Sequence, residues 1–570
     1  MHDRVIRGGI LIDGTGAPAR AGDVAVGDGC IREVGRVAGR GREEIDARGL
    51  HVLPGFVDVH THYDGQVTWD PYLSPSSWHG VTTVVMGNCG VGFAPADPDR
   101  RDYLIALMEG VEDIPGAALH EGIQWSWESF PEYLDALERA PHAIDVGAQL
   151  PHAALRFYVM GERGADHAEK PTQGEIERMA RLAREAVEAG AFGFSTSRTR
   201  NHRARDGRPT PSLTASAEEL IGIGRGLRDA GRGVFQLVAD FDDLEAEFAL
   251  LRRLAAENRR PLSFTLNQKD GHPAAWRRLL ELVEEAVRDG VDLKAQVAAR
   301  PVGLLLGLEA SVHPFAGCPS YADLAGLPLA LRVARLREPE RRQRLLAEKA
   351  QQGPGFPVWE RTFSLGDPPD YEPAPEQSLA AVARRRGLEP AALALDLLLE
   401  GDGRALLYCP VMNYAGLDLE ASREMLLHPH TVPGLGDAGA HCGLICDASF
   451  ATSLLTHWGR DRTRGERLPL EWLVRRQTRD TARLVGLLDR GVIAPGAKAD
   501  LNLVELEDLR LRPPEVVYDL PAGGRRLVQR ARGYRMTLVA GEVVLRDGEP
   551  TGALPGRLLR GARPGPAADA

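Results

Sequence analysis

Lysine is nearly absent from this 570-residue chain. Only Lys170, Lys269, Lys294, Lys349 and Lys498 occur, so almost all positive charge is arginine and few lysines are available for a nucleophilic or carboxylated role. Cysteine is sparse as well. Six residues scattered through a long chain do not make a disulfide framework and fit reduced thiols in the cytoplasm. No uninterrupted apolar run is long enough to cross a bilayer. The segment Met1-His2-Asp3-Arg4-Val5-Ile6-Arg7 has no apolar signal core. The expectation is therefore a cytoplasmic protein with no membrane partner. Excess positive charge is missing too: a net charge of −11 argues against nucleic acid as a partner and leaves a small molecule. No internal repeat is visible.

The chain is long enough for more than one domain. Its first fifty residues read as short strands joined by Gly-Asp turns, as in Val5-Ile6-Arg7-Gly8-Gly9 and Ile10-Leu11-Ile12-Asp13-Gly14. The same texture returns in Ala494-Pro495-Gly496-Ala497-Lys498-Ala499-Asp500-Leu501-Asn502-Leu503-Val504 and Thr537-Leu538-Val539-Ala540-Gly541-Glu542-Val543-Val544. Between them, eight strand-like runs alternate with helical stretches, at 56–62, 81–87, 144–151, 191–196, 233–240, 261–267, 292–300 and 430–437. The pattern is α/β and predicts a (β/α)8 TIM-type barrel over 55–491, whose site should lie at the C-terminal strand ends. An insertion is expected near 310–375, a candidate lid or homo-oligomer contact. The tail 552–570, rich in Gly, Pro, Ala and Arg, is expected to be disordered.

The strand ends carry the chemistry. His60-Thr61-His62 closes strand one. Alternate side chains on a strand share a face, so the two imidazoles can converge on a metal such as zinc. Asp437 ends strand eight, where a carboxylate can touch a metal and take a proton from water; its bland reading is a helix-capping aspartate. Cys89 follows strand two, either as a thiolate ligand or as a small buried thiol. His152, His202 and His441 fall near the same mouth as polar or substrate-binding groups. The Arg198 guanidinium could fork a substrate carboxylate, or belong to a solvated arginine-rich loop. Trp69, Trp78 and Trp458 are candidates for an acyl wall, with core packing as the alternative.

The run Leu-Pro-Gly-Phe-Val-Asp-Val-His-Thr-His-Tyr-Asp at 53–64 resembles the first barrel strand of the metal-dependent amidohydrolase superfamily. Gly80 to Gly90, Leu155-Arg156 with Val159-Met160-Gly161, and Gly193-Phe194-Ser195-Thr196-Ser197 resemble its D-aminoacylase (N-acyl-D-amino-acid deacylase) branch. The resemblance implies a small β-sandwich built from residues 1–54 and 492–550 beside the barrel. It also implies that Cys89 is a metal ligand and that the substrates are N-acyl-D-amino acids. The pattern breaks at strands five and six, where the family has two ligating histidines and this chain has none. His60, His62, Cys89 and Asp437 remain, a set for one zinc, with a second metal in doubt. Lys294, on strand seven, is misplaced for a bridging carboxylated lysine. The expected activity is hydrolysis of an amide C–N bond in a small acidic molecule. The alternatives are a hydrolase of a cyclic amide, an imide or another C–N bond using a mononuclear site, and a degenerate barrel that only binds.

Overall fold

The structure is a computed structural model and describes residues 1–353 and 355–566. Eight short strands form the barrel: β1 Phe56–Asp58, β2 Val81–Met86, β3 Asp145–Ala148, β4 Gly193–Arg198, β5 Val234–Ala239, β6 Leu262–Leu266, β7 Leu293–Val297 and β8 Thr431–Pro433. Each pairs in parallel with the next, β3 reaching β4 through its continuation Leu150–Pro151. The ring closes just beyond β1 and β8, where Thr61 bridges Ala438 and the His62 amide donates to the Ala438 carbonyl at 2.8 Å. Side chains on these strands are mostly buried, as expected of a parallel sheet covered by helices.

The helix Gln173–Ala189 shows how local sequence sets the covering layer. Thr172 and Glu175 form a reciprocal capping box, and Gly190 ends the helix at φ 123°. Ile176, Met179, Ala183, Ala186 and Val187 recur at helical spacing and are buried, while the other faces carry charge.

The chain ends meet in a nine-stranded sheet. Its junction is His51–Pro54 antiparallel to Leu501–Val504, with Leu53 opposite Asn502. Ile6, Leu11, Val24, Ile31, Leu501 and Leu538 share the core of this module.

Two expectations need correction. The insertion is wider than 310–375. Val302–Leu306 pairs antiparallel with Leu407–Met412, which also takes Phe363–Ser364. Helices Leu329–Leu336, Pro339–Gln351, Leu379–Arg386 and Pro390–Leu398 pack around a cluster of their own, including Val333, Leu345, Leu379 and Leu398. An amphipathic pattern shows that a helix is half-buried, not which core it faces.

The tail is ordered as far as it is described, through residue 566. The Gly556 amide donates to the His142 carbonyl at 2.8 Å, Leu559 to Val146 at 2.7 Å, and Val146 to Arg557 at 3.0 Å. Leu558 and Leu559 are buried. Composition reports that this segment has no core of its own; it does not report that the barrel floor lends it partners. Residues 567–570 of the expected tail lie outside the described residues. Among the described residues no helix is long and apolar enough to cross a membrane.

Candidate metal centre and cavity

His60 and His62 lie just past β1, their rings edge-to-face with centroids 5.5 Å apart. The Asp58 carboxylate accepts from the His60 amide at 3.0 Å, fixing the backbone where the strand ends. Cys89 follows β2 in a left-handed conformation (φ 54°), between Gly87 and Gly90, which also have positive φ. A Cβ at Gly90 would sit 2.8 Å from the Thr196 Cα, so only glycine lets this turn press against β4. The Cys89 amide donates to the Gln236 side-chain oxygen at 2.8 Å. Asp437 and His441 are also left-handed, at φ 44° and 50°. Such strain clusters where a fold positions reactive groups.

The donors converge. Ligand atoms of His60, His62 and Cys89 all lie within 4.8 Å of one another, and all three residues are buried. The Cys89 Sγ is 3.3 Å from His60 Nε2. The Asp437 Oδ1 is 3.2 Å from His60 Nε2 and 3.6 Å from His62 Nε2. Burial alone would lower the histidine pKa values, but neighbouring negative groups outweigh it. Cys89 and Asp437 hold His60 up to about 9, and Glu112 and Asp437, with Cys89, raise His62. Burial would raise Asp437, yet the two histidines hold it well below the usual carboxylate range. A pocket that stabilises positive charge this strongly, with two imidazoles, a thiol and a carboxylate converging, fits a zinc ion.

Three supporting residues escaped the sequence reading. The Gln296 side-chain oxygen lies 2.6 Å from His60 Nδ1, and its amide nitrogen donates to the Ser263 hydroxyl at 2.9 Å. This chain of bonds assigns the proton to Nδ1 and frees Nε2 for the metal. Gln236 holds Cys89 from β5 in the same way. The signal available was a polar residue in the middle of each buried strand. Glu112, at the end of helix Arg101–Glu112, places Oε1 3.3 Å from His62 Nδ1 and Oε2 3.6 Å from His441 Nε2. Because Gln296 orients a ligand without being one, Gln296→Ala is expected to weaken metal binding by about 10- to 100-fold. Competition against a chromophoric chelator measures this, and unchanged affinity would refute the role.

Some predicted site residues lie elsewhere. Arg198 does not line the cavity; it grips Glu247 through two bonds of 2.9 and 2.7 Å and donates to the Ala215 carbonyl. A fork already closed on a carboxylate is not free for substrate. His152 is fully buried between the Thr196 hydroxyl (2.9 Å) and Glu219 (3.1 Å), away from the cavity. His202 and His441 do line it. Burial lowers His202 to about 4, so it is neutral at pH 7 and hydrogen-bonds without carrying charge. Trp458 is core, and neither Trp69 nor Trp78 lines the cavity. Cys442 and Cys446 are buried, with thiols raised by desolvation.

A cavity of about 450 Å³ opens from the metal donors. No histidine comes from β5 or β6; their ends supply Val238, Ala239 and Asp240, and Thr265, Leu266 and Asn267.

Residues 43–545 match the sequence model of an amidohydrolase family. An uncharacterised protein of Mycobacterium tuberculosis is 30% identical, with 96% of this chain and 92% of that protein covered. N-acyl-D-glutamate deacylase of Alcaligenes xylosoxydans xylosoxydans is 29% identical, with 98% and 96% covered. A crystal structure of D-aminoacylase superposes with a TM-score of 0.65 at 26% identity, covering 98% of this chain and all of that one. A second D-aminoacylase structure (TM-score 0.66, 25% identity, again 98% and 100% covered) is described as having a binuclear metal centre with one-metal activation and second-metal attenuation. The zinc- and phosphonate-bound N-acyl-D-glutamate deacylase of Bordetella bronchiseptica gives 0.64 at 25% identity, covering 98% and 99%.

Proposed function

This chain belongs to the amidohydrolase family, and from that premise we propose that it hydrolyses an amide C–N bond in a small molecule, with deacylation of an N-acyl-D-amino acid as the leading reaction. The observation that carries this reading is the convergence of His60, His62, Cys89 and Asp437 beside a cavity of ligand size. The names of the full-length relatives support the acyl-amino-acid substrate.

His60, His62 and Cys89 would hold one zinc, with Asp437 at its edge. When bound, zinc supplies Lewis acidity toward the scissile carbonyl and makes water more acidic. Asp437 then takes the proton of the attacking water and returns it to the leaving nitrogen. Held below the usual carboxylate range by the two histidines, it is ionised at neutral pH. Gln296 holds the His60 imidazole by a hydrogen bond, and Glu112 faces His62 as a negative charge. A single working metal also accords with the one-metal activation described for D-aminoacylase.

A second reading has an observation in its favour. Lys269 is the only lysine or arginine among the described lining residues, and its Nζ already donates to the Asp240 carbonyl at 2.6 Å. A wall whose one lysine or arginine already sits beside Asp240 suits a cyclic amide or imide that carries no carboxylate.

Metal analysis and a substrate panel separate these readings. About one zinc per chain is expected, lost in a Cys89→Ala variant. Chelator-sensitive release of a carboxylic acid and a D-amino acid supports the leading reaction; ring opening supports the second. Failure to turn over any amide, with no metal taken up on reconstitution, would leave a barrel that only binds and overturn both.

A further inference from the structure

The barrel mouth is divided by chemistry. In the ring order, β5 lies across from β1. The metal donors come from β1, β2 and β8, so the far half of the cavity is built by the segments after β5 and β6 and by the insertion. Phe241 comes just after β5. Trp276 and Leu279 lie on helix Ala275–Arg288 after β6, and Val302, Leu304 and Met412 come from the insertion sheet. These six side chains make a mostly apolar chamber, with Asn267 and His272 as polar members beside Asp240, Asp242 and Lys269.

Charge is compensated around it. Lys269 is bound to Asp240, which lies 3.7 Å from its Nζ through Oδ1, and Asp242 pairs with Arg200 at 2.5 Å.

We propose that this chamber receives a large uncharged apolar group of the substrate, aromatic or long aliphatic. Relatives named for glutamate or aspartate derivatives act on substrates with a second carboxylate; in this wall only Lys269, already beside Asp240, and His272 could meet one. The substrate class rests on the amide hydrolysis proposed above, whereas the chamber's affinity for apolar groups does not.

The test uses the zinc-loaded full chain and two amide series, one lengthening the acyl chain from acetyl to octanoyl, the other enlarging the amine-side group from alanine to phenylalanine. Binding of neutral N-methyl alkanamides of the same chain lengths is measured in parallel by calorimetry. The expected result is a rise of roughly threefold to fourfold per buried methylene in kcat/KM in one series, and in amide affinity. Leu304→Asp and, independently, Met412→Asp should flatten that dependence. Turnover with flat length dependence in both series, together with flat amide binding, overturns the proposal. No turnover with length-dependent amide binding sinks the reaction while the chamber stands.

Discussion

Asp437→Asn should lower turnover by about 10²- to 10⁴-fold, the usual contribution of a positioned general acid–base, while zinc stays bound. Asparagine keeps the size of the side chain and an oxygen that can face His60 Nε2, 3.2 Å away in the wild type. It cannot take a proton from water or return it to nitrogen. His60, His62 and Cys89 remain as three ligands, enough for a zinc site that keeps one position open. The two readouts must be taken together: steady-state rates at saturating substrate, and metal content by elemental analysis. Lost activity with zinc retained places the proton transfer on Asp437. Lost activity with lost zinc would make it chiefly a ligand, and full activity would refute the mechanism.

The second large effect is on stability and lies at the other end of the barrel. Asp145 opens β3 and is buried; its Oδ2 accepts from Arg490 at 2.6 Å and Lys498 at 2.8 Å, and its Oδ1 from the Arg557 amide at 3.0 Å. Burial would raise this carboxyl, but Lys498 and Arg490 outweigh it and hold the group at about 2, below its ordinary 3.8. A carboxyl whose pKa is depressed on folding stabilises the fold above its unfolded pKa and loses that contribution as pH falls through the folded value. Asp145→Asn should therefore cost about 3 kcal/mol near neutral pH, the lower end for a broken buried ion pair, because Asp500 still faces Lys498 at 2.9 Å. Denaturant unfolding followed across pH checks it. The gap between variant and wild type should close between about pH 4 and about pH 2. A gap that persists at pH 2, or none at pH 7, would contradict the account.

Much of this was legible in the residues. The eight barrel strands stand out because each is a short apolar run bounded by turn residues. The metal donors stand out because histidine, cysteine and aspartate at the ends of such runs are chemically conspicuous. What could not be read was pairing at a distance. Arg198 looked free because Glu247, which closes its fork, lies across a strand and a loop. Gln236 and Gln296 looked unremarkable because glutamine is no ligand; their role appears only when Cys89 and His60 come within hydrogen-bond reach. Glu112 reads as the last residue of an ordinary helix until the fold swings that end against His62. The tail and the helices of the insertion failed for the same reason: composition and periodicity describe a segment, while burial depends on what else reaches it.

The nine-stranded sheet has a consequence for the timing of folding. Residues 51–54 find their neighbours at 501–504, so roughly 450 residues must be made before that ladder can form. The amino-terminal strands leave the ribosome first with an unpaired edge, and such edges invite wrong association. Arg490 and Lys498, which neutralise Asp145, and the Arg557 amide that donates to it arrive late as well. Synthesis thus leaves the nascent chain exposed through most of translation, and the barrel floor and the sheet are completed together, almost at the end.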